Sequence, residues 1–155
     1  MKGQNVFVMF RNQLYGHRDL HLINSVNGGK TFGRPEKLGE GTWELKGCPM
    51  DGGGLTLDSD GKIQTVWRRE SKIYSCEPGN REYEIGEGKS CTIENVGGRN
   101  VFAWVKNGEV ICKLPDGSLT SLGKGNSPVM QGVANDEVFC AWENDNQIYS
   151  TVIHL

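Results

Sequence analysis

Three apolar runs along the chain end in the same way. Gln64-Thr65-Val66-Trp67-Arg68, Val101-Phe102-Ala103-Trp104-Val105 and Phe139-Cys140-Ala141-Trp142-Glu143 each close on a tryptophan, and the tryptophans stand 37 and 38 residues apart. After a polar turn a short apolar pair follows each one: Ile73-Tyr74, Val110-Ile111 and Ile148-Tyr149. A third mark keeps the same phase, because Leu38-Gly39-Glu40-Gly41, Ile85-Gly86-Glu87-Gly88 and Leu122-Gly123-Lys124-Gly125 are copies of one pattern. Short β-rich runs bounded by Gly, Asn and Asp predict strands and hairpins rather than helices. Phe7-Val8-Met9-Phe10-Arg11 is then the first version of the tryptophan strand, and extra segments at about 13–33 and 42–49 lengthen the gap to Trp67.

Each unit reads as apolar strand, turn, tryptophan strand, turn, short strand, turn, edge strand. Its turns include Asp58-Ser59-Asp60-Gly61, Val96-Gly97-Gly98-Arg99 and Pro115-Asp116-Gly117. A fixed period of this length predicts an all-β chain of four-stranded antiparallel propeller blades. The units fall at about 1–41, 42–88, 89–125 and 126–155, within a single partial propeller domain. Two are complete and two partial, because the first lacks a strand before Phe7 and the last lacks its edge strand. A β-sandwich is the alternative, but it leaves the shared phase of three marks unexplained. Closed rings hold about four to eight blades, and open strands expose pairing edges. The pattern therefore predicts part of a larger ring, an obligate partner or an unusually small closed ring.

Composition narrows the picture by exclusion. At 155 residues the chain has the length of one domain, and its 22 glycines suit many tight turns. No segment approaches the roughly 20 apolar residues of a membrane span. Seventeen basic against nineteen acidic residues leave a net charge of −2, with neither sign gathered into a run, so nucleic acid is not an expected partner. The opening MKGQNVFVMFRNQ turns polar too early for the apolar core of about 7–15 residues in a signal peptide. Five cysteines, at 48, 76, 91, 112 and 140, are an odd number without a C-x-x-C pair. They predict reduced, buried, space-filling side chains rather than a zinc site or a disulfide framework. His17, His21 and His154 have no ligand spacing, so no metal or cofactor is implied.

One short motif is more specific. Ser25-Val26-Asn27-Gly28-Gly29-Lys30-Thr31-Phe32, read between the second and third strands of the first unit, resembles the Asp box, S-x-D-x-G-x-T-W, of bacterial neuraminidase repeats. Asn27 stands where Asp is usual and Phe32 where Trp is usual. Asn27 can bond the backbone two residues on, the glycines allow positive φ, Thr31 can satisfy a turn amide, and Phe32 is expected to plug the hairpin against the sheet. With the blade period, and with the stretch from Arg18-Asp19-Leu20 through Met50-Asp51-Gly52-Gly53-Gly54 to Arg68-Arg69, the chain resembles the sialidase-like, Asp-box propeller superfamily and its bacterial exo-sialidase-type members. The resemblance implies a six-bladed complete ring, an exo-α-sialidase-type glycoside hydrolase, and a secreted or periplasmic location. It also implies that the box is a folding element on the rim opposite the active site.

If the box occupies a third-to-fourth-strand turn, the opposite rim carries the candidate chemistry. Its segments are Arg11–Asp19, Thr42–Asp51 and Arg68–Ser71, with Val105–Glu109 and Glu143–Gln147 on the later units. Guanidinium forks bind a carboxylate in two places at once, and aromatic faces cover a sugar ring. Arg11, Arg18, Asp19, Arg68, Arg69 and Trp43 are therefore candidate substrate-binding residues. Arg11 and Arg68 are expected at equivalent places on neighbouring blades, where solvated loop arginines or inter-blade salt bridges are the competing role, and Arg18-Asp19 reads first as a salt-bridged loop closure. The resemblance implies a Tyr nucleophile with a Glu partner and an Asp acid, for which Tyr15, Glu70 and Asp51 are the candidates. Tyr15 reads equally well as an exposed loop tip, and Asp51 as a cap on the blade connection. Trp67, Trp104 and Trp142, being in phase, are expected to pack between blades.

The later units offer mainly Lys106, Glu143 and Asp145, and the chain has too few strands to hold a whole sialidase constellation. Two functions stay open: a glycan-acting propeller that is inactive until missing blades or a second copy complete it, and a non-catalytic module that binds a sugar or a protein.

Overall fold

The computed structural model describes residues 2–155, and all its regular secondary structure is β-strand. The strands form four antiparallel sheets in chain order. The first holds β1 (Val6–Arg11), β2 (Leu20–Ser25) and β3 (Glu36–Lys37). The second holds β4 (Gly54–Leu57), β5 (Ile63–Arg69), β6 (Lys72–Cys76) and β7 (Tyr83–Glu87). The third holds β8 (Lys89–Val96), β9 (Arg99–Lys106), β10 (Glu109–Lys113) and β11 (Leu119–Lys124). The fourth holds β12 (Asn126–Ala134), β13 (Glu137–Asn144) and β14 (Gln147–His154). Every sheet is a simple meander, so two four-stranded blades lie between two three-stranded ones, and the array is not closed into a ring.

The tryptophan strands β5, β9 and β13 are each the second strand of their unit, and β1 takes that place in the first sheet. Their apolar runs are continuous because both faces are covered. Along β9, Phe102 and Trp104 join Val66, Ile73, Ile85, Cys91 and Ile93 in a core toward the second sheet. The alternate residues Val101 and Val105 join Val138, Cys140 and Trp142 in a core toward the fourth. A third core sets Trp67 and Cys76 against Leu20, Leu22 and Leu38 of the first unit. No such core joins the first sheet to the fourth among the described residues.

The Leu-Gly-x-Gly marks acquire a physical role here. A Cβ on Gly86 would come 2.5 Å from Trp104 Cζ2, and one on Gly39 would come 2.9 Å from Trp67 Cζ2. Gly123 also faces Trp142 Cζ2, but at 3.7 Å, an ordinary van der Waals distance that would admit a Cβ. In each case the six-membered ring of an indole lies on a glycine contributed by the preceding unit. Trp142 adds a hydrogen bond from Nε1 to the Lys124 carbonyl, 3.0 Å away.

Two details of the first unit differ from expectation. Segment 13–33 is not an insertion throughout, because it contains β2, the third strand of the blade. The Asp-box-like turn consequently lies between the third and fourth strands rather than the second and third. Ser25 Oγ accepts from the Gly29 amide at 2.9 Å, Asn27 Oδ1 accepts from the Thr31 amide at 3.0 Å, and Asn27 Nδ2 donates to Thr31 Oγ1 at 2.8 Å. Phe32 is 43% exposed, its ring lies beside Gly29, where a Cβ would meet Phe32 Cζ at 3.9 Å, and the hairpin also closes on its own polar bonds. Cys76, Cys91, Cys112 and Cys140 are buried free thiols, whereas Cys48 is free and exposed.

Over-packing a filled contact costs about 1–3 kcal/mol, so Gly86→Ala is expected to lower unfolding stability by about that amount. Gly52→Ala, with nothing within 4 Å of its Cβ, is expected to stay within about 0.5 kcal/mol of the parent. Chemical denaturation of both variants checks this, and equal stabilities would contradict the role given to the glycine contact.

Candidate functional site

In an antiparallel meander the turns alternate between the two ends of the sheet. The Asp-box-like turn and the hairpins at 58–62, 97–98 and 135–136 therefore share one rim. The loop at 12–19, the connection at 38–53 and the turns at 70–71, 107–108 and 145–146 share the other. The second rim holds every candidate binding and catalytic residue.

Arg11 ends β1 and Arg68 lies near the end of β5, and the two come together over Trp43. Both guanidinium carbons lie 5.2 Å from the Trp43 ring. Arg11 Nη1 donates to the Arg18 carbonyl at 2.6 Å, and Nη2 to the carbonyls of Arg68 at 3.2 Å and Asp51 at 3.4 Å. Arg68 Nε lies 2.9 Å from Asp51 Oδ2, and its Nη2 donates to the Pro49 carbonyl at 3.2 Å. The same Asp51 oxygen accepts from the Ser90 amide of the third sheet at 3.2 Å. Burial lowers the pKa of the Arg11 guanidinium, Asp51 works against that, and the like charge of Arg68 adds to it.

This cluster ties three sheets and the long 38–53 connection together, with two guanidinium groups sharing one carboxylate and the remaining donors directed to backbone carbonyls. Trp43 is only 7% exposed, so its ring is covered within the fold rather than open as a sugar platform. Asp51 precedes β4, and of the glycines after it Gly53 serves packing. A Cβ on Gly53 would come 3.0 Å from Trp67 Cα, so the close approach it allows is to β5. Asp19 closes its loop, but not through Arg18. Its carboxylate accepts from the Trp43 amide at 3.0 Å and pairs with Lys37 at 3.0 Å, while the Arg18 amide donates to the Trp43 carbonyl at 2.8 Å. Arg69 is held by Glu82 at 2.5 and 3.0 Å and lies 3.9 Å over the Tyr74 ring.

Tyr15 and Glu70 are not brought together. Each is a turn tip with positive φ, 54° and 58°, as are Asn107 and Asp145 on the later sheets. Tyr15 is 96% exposed and borders a cavity of about 180 Å³ with Leu14, His17 and His21. Glu70 borders a separate, open groove of about 520 Å³ between the second and third sheets. Arg68, Ser71, Glu87, Lys89 and Lys106 also line that groove. Lys89 was not among the sequence candidates, although it follows the Gly88 mark directly. Glu82, Lys37 and the Pro49 carbonyl were missed as well, because each works through a contact that no local pattern signals.

No family model and no curated protein sequence matches the chain. Among solved structures it is similar to the NanB sialidase of Streptococcus pneumoniae. A point mutant of that enzyme aligns over 93% of this chain and 27% of that one, with a TM-score of 0.54 and 13% identity. NanB in complex with 2-[(3-chlorobenzyl)ammonio]ethanesulfonate aligns over the same shares, with a TM-score of 0.53 and 12% identity. The fold is thus that of a sialidase-like propeller, and the chain spans about a quarter of the length of those structures.

Removing one partner of a buried ion pair costs about 3–5 kcal/mol, and Asp51→Ala is expected to lose about that much because Arg11 and Arg68 remain facing each other. Asp51→Asn, which keeps an acceptor for the Ser90 amide, should lose less. Unfolding curves of the two variants check the order. Burial raises the Cys91 and Cys112 thiols to about 12 and Cys140 to about 11. A thiol reagent at neutral pH is therefore expected to titrate Cys48 quickly and the other four only after unfolding. Rapid labelling of a buried cysteine would contradict the packing described.

Proposed function

We propose that the chain is a sialidase-like propeller module that recognises an acidic sugar on the rim opposite the Asp-box-like turn and does not hydrolyse it. The observation that carries this reading is the open groove beside Arg68. There Lys89 and Lys106, with the turns at 70–71 and 107–108, line a space of about 520 Å³, enough for one monosaccharide, and Lys106 Nζ lies 3.7 Å from Glu87. Lys89, with Lys106 beside Glu87, can hold a carboxylate, and Glu70 and Ser71 can accept or share hydrogen bonds with hydroxyls.

Hydrolysis is absent from the proposal because the constellation is not assembled. A Tyr nucleophile must lie within hydrogen-bond reach of its base, and Tyr15 and Glu70 border different cavities. The arginines that would grip a substrate carboxylate are already bonded within the fold. Exo-sialidase chemistry would belong to a longer ring containing blades of this kind. A second reading, that the rim binds no sugar and the arginine cluster is a structural tie, is favoured by the internal pairing of Arg11, Arg68 and Arg69.

Titration with N-acetylneuraminic acid, followed by amide chemical shifts, separates the two. The proposal expects shifts at Ser71, Lys89, Lys106 and Asn107 with a dissociation constant of about 1 mM, equivalent to about 4 kcal/mol. Lys89→Glu should weaken binding roughly tenfold, about 1.4 kcal/mol, and a fluorogenic sialoside should not turn over. Unchanged spectra throughout the titration would favour the structural tie, and turnover would contradict the non-catalytic reading.

A further inference from the structure

The dipeptide Asn-Gly stands twice in the chain, at 27–28 and at 107–108. In that pair the glycine amide nitrogen can attack the side-chain carbonyl carbon of the asparagine, because no Cβ shields it. Whether it does so in a folded protein depends on how the two groups are held. Sterics do not separate the two dipeptides, since nothing lies within 4 Å of a Cβ placed on Gly28 or on Gly108.

Hydrogen bonds do separate them. In the Asp-box-like turn the Asn27 carboxamide is fixed at both ends by Thr31, and Ser25 Oγ donates to its Oδ1 at 2.9 Å. The Gly28 amide donates to the Gln4 carbonyl at 2.8 Å, so the attacking nitrogen is engaged as well. The other dipeptide is the two-residue turn between β9 and β10, where Lys106 faces Glu109. Asn107 and Gly108 both have positive φ, 52° and 78°, as a type I′ hairpin requires. Both are exposed, and the Gly108 amide enters no backbone bond of the turn among the described residues.

We propose that Asn107 is a site of spontaneous deamidation, which adds a carboxylate to the groove between the second and third sheets. The Gly108 nitrogen forms a bond to Asn107 Cγ, the Cγ–Nδ2 bond breaks, and Nδ2 leaves as ammonia with the proton that the Gly108 amide gives up. Water then opens the cyclic imide. Opening at the side-chain carbonyl leaves aspartate, and opening at the main-chain carbonyl leaves isoaspartate. Asp-Gly suits a type I′ turn as well as Asn-Gly does, so the aspartate form keeps the hairpin. The isoaspartate form carries an extra main-chain methylene into a turn of only two residues and loosens it. Asn107 lines the groove with Glu70, Glu87, Lys89 and Lys106. A carboxylate there gives the lysines an internal partner and turns the groove against anions. The consequence for sugar binding rests on the acidic-sugar reading, whereas the modification itself does not.

Peptide mass mapping of the folded protein, sampled during incubation in mildly alkaline buffer, tests the proposal. Residue 107 is expected to gain the mass of an amide-to-acid exchange while residue 27 remains asparagine. In denaturant, where both sets of bonds are lost, the two should convert at comparable rates. Gly108→Ala, which shields the nitrogen with a Cβ, should largely abolish conversion at 107 in denaturant as in buffer. An unmodified residue 107 in the folded protein, or conversion of residue 27 at the same rate, would overturn the proposal. Asn107→Asp reproduces the aspartate product and should weaken N-acetylneuraminic acid binding about threefold, the size of one added exposed charge. Equal affinity would overturn the change in groove chemistry. A parent protein that binds no sugar would overturn the sugar reading alone, with the mass map still deciding the modification.

Discussion

A tryptophan lying on a glycine of the blade before it is the contact on which the rest of this structure depends. The indole is the largest side chain available, and it reaches the neighbouring sheet at full density only where that sheet presents no Cβ. This couples two positions in different units, Gly86 with Trp104 for example, and explains why the marks share one period. It also explains the continuous apolar runs. Once tryptophan commits one face of its strand to the preceding sheet, the alternate residues must serve the following one, and β9 is buried on both sides. Burial of this kind, at roughly 25 cal/mol per Å² of apolar surface, dominates the stability of such arrays.

The same geometry limits the chemistry of the rim. The connection that carries the chain from the first sheet to the second passes over the ends of β1 and β5, so residues there are drawn into the joint between blades. Arg11, Arg68 and Asp51 are partly buried among three sheets, and a guanidinium taken from water must find partners within the fold. It finds them in carbonyls and one carboxylate. Charges used in this way hold blades in register and are not free to meet a ligand. What remains open lies one step along the rim, where short two-residue turns leave a groove between the second and third sheets.

Much of the architecture was legible because the marks are local. Each tryptophan, each turn and each Gly-x-Gly pair can be read within a few residues, and their phase gave the sheets and the incomplete state of the outer two. The errors have physical causes. β2 was taken into an insertion because its apolar residues Leu20, Leu22 and Ile23 are interrupted by His21 and followed by Asn24, unlike the solid runs of the inner blades. Phe32 stands where the motif usually has a larger ring and lies half-exposed beside Gly29, while Ser25, Asn27 and Thr31 satisfy the polar groups of the turn. The site was less legible, since Arg11 with Asp51 and Arg69 with Glu82 are pairings set by the stacking of sheets. Tyr15 did carry a local signal: it precedes Gly16, the sequence of a tight turn, and its exposure follows from that.

The central claim is that glycine-on-tryptophan contacts bind the sheets into one cooperative unit. Native-state hydrogen exchange across a denaturant series tests it most directly, by following the amides of β5, β9 and β13 together. The account predicts that these strands exchange through one common opening whose free energy falls with a single slope. Separate openings, each strand with its own free energy and slope, would mean that the sheets are stable one by one and would contradict it.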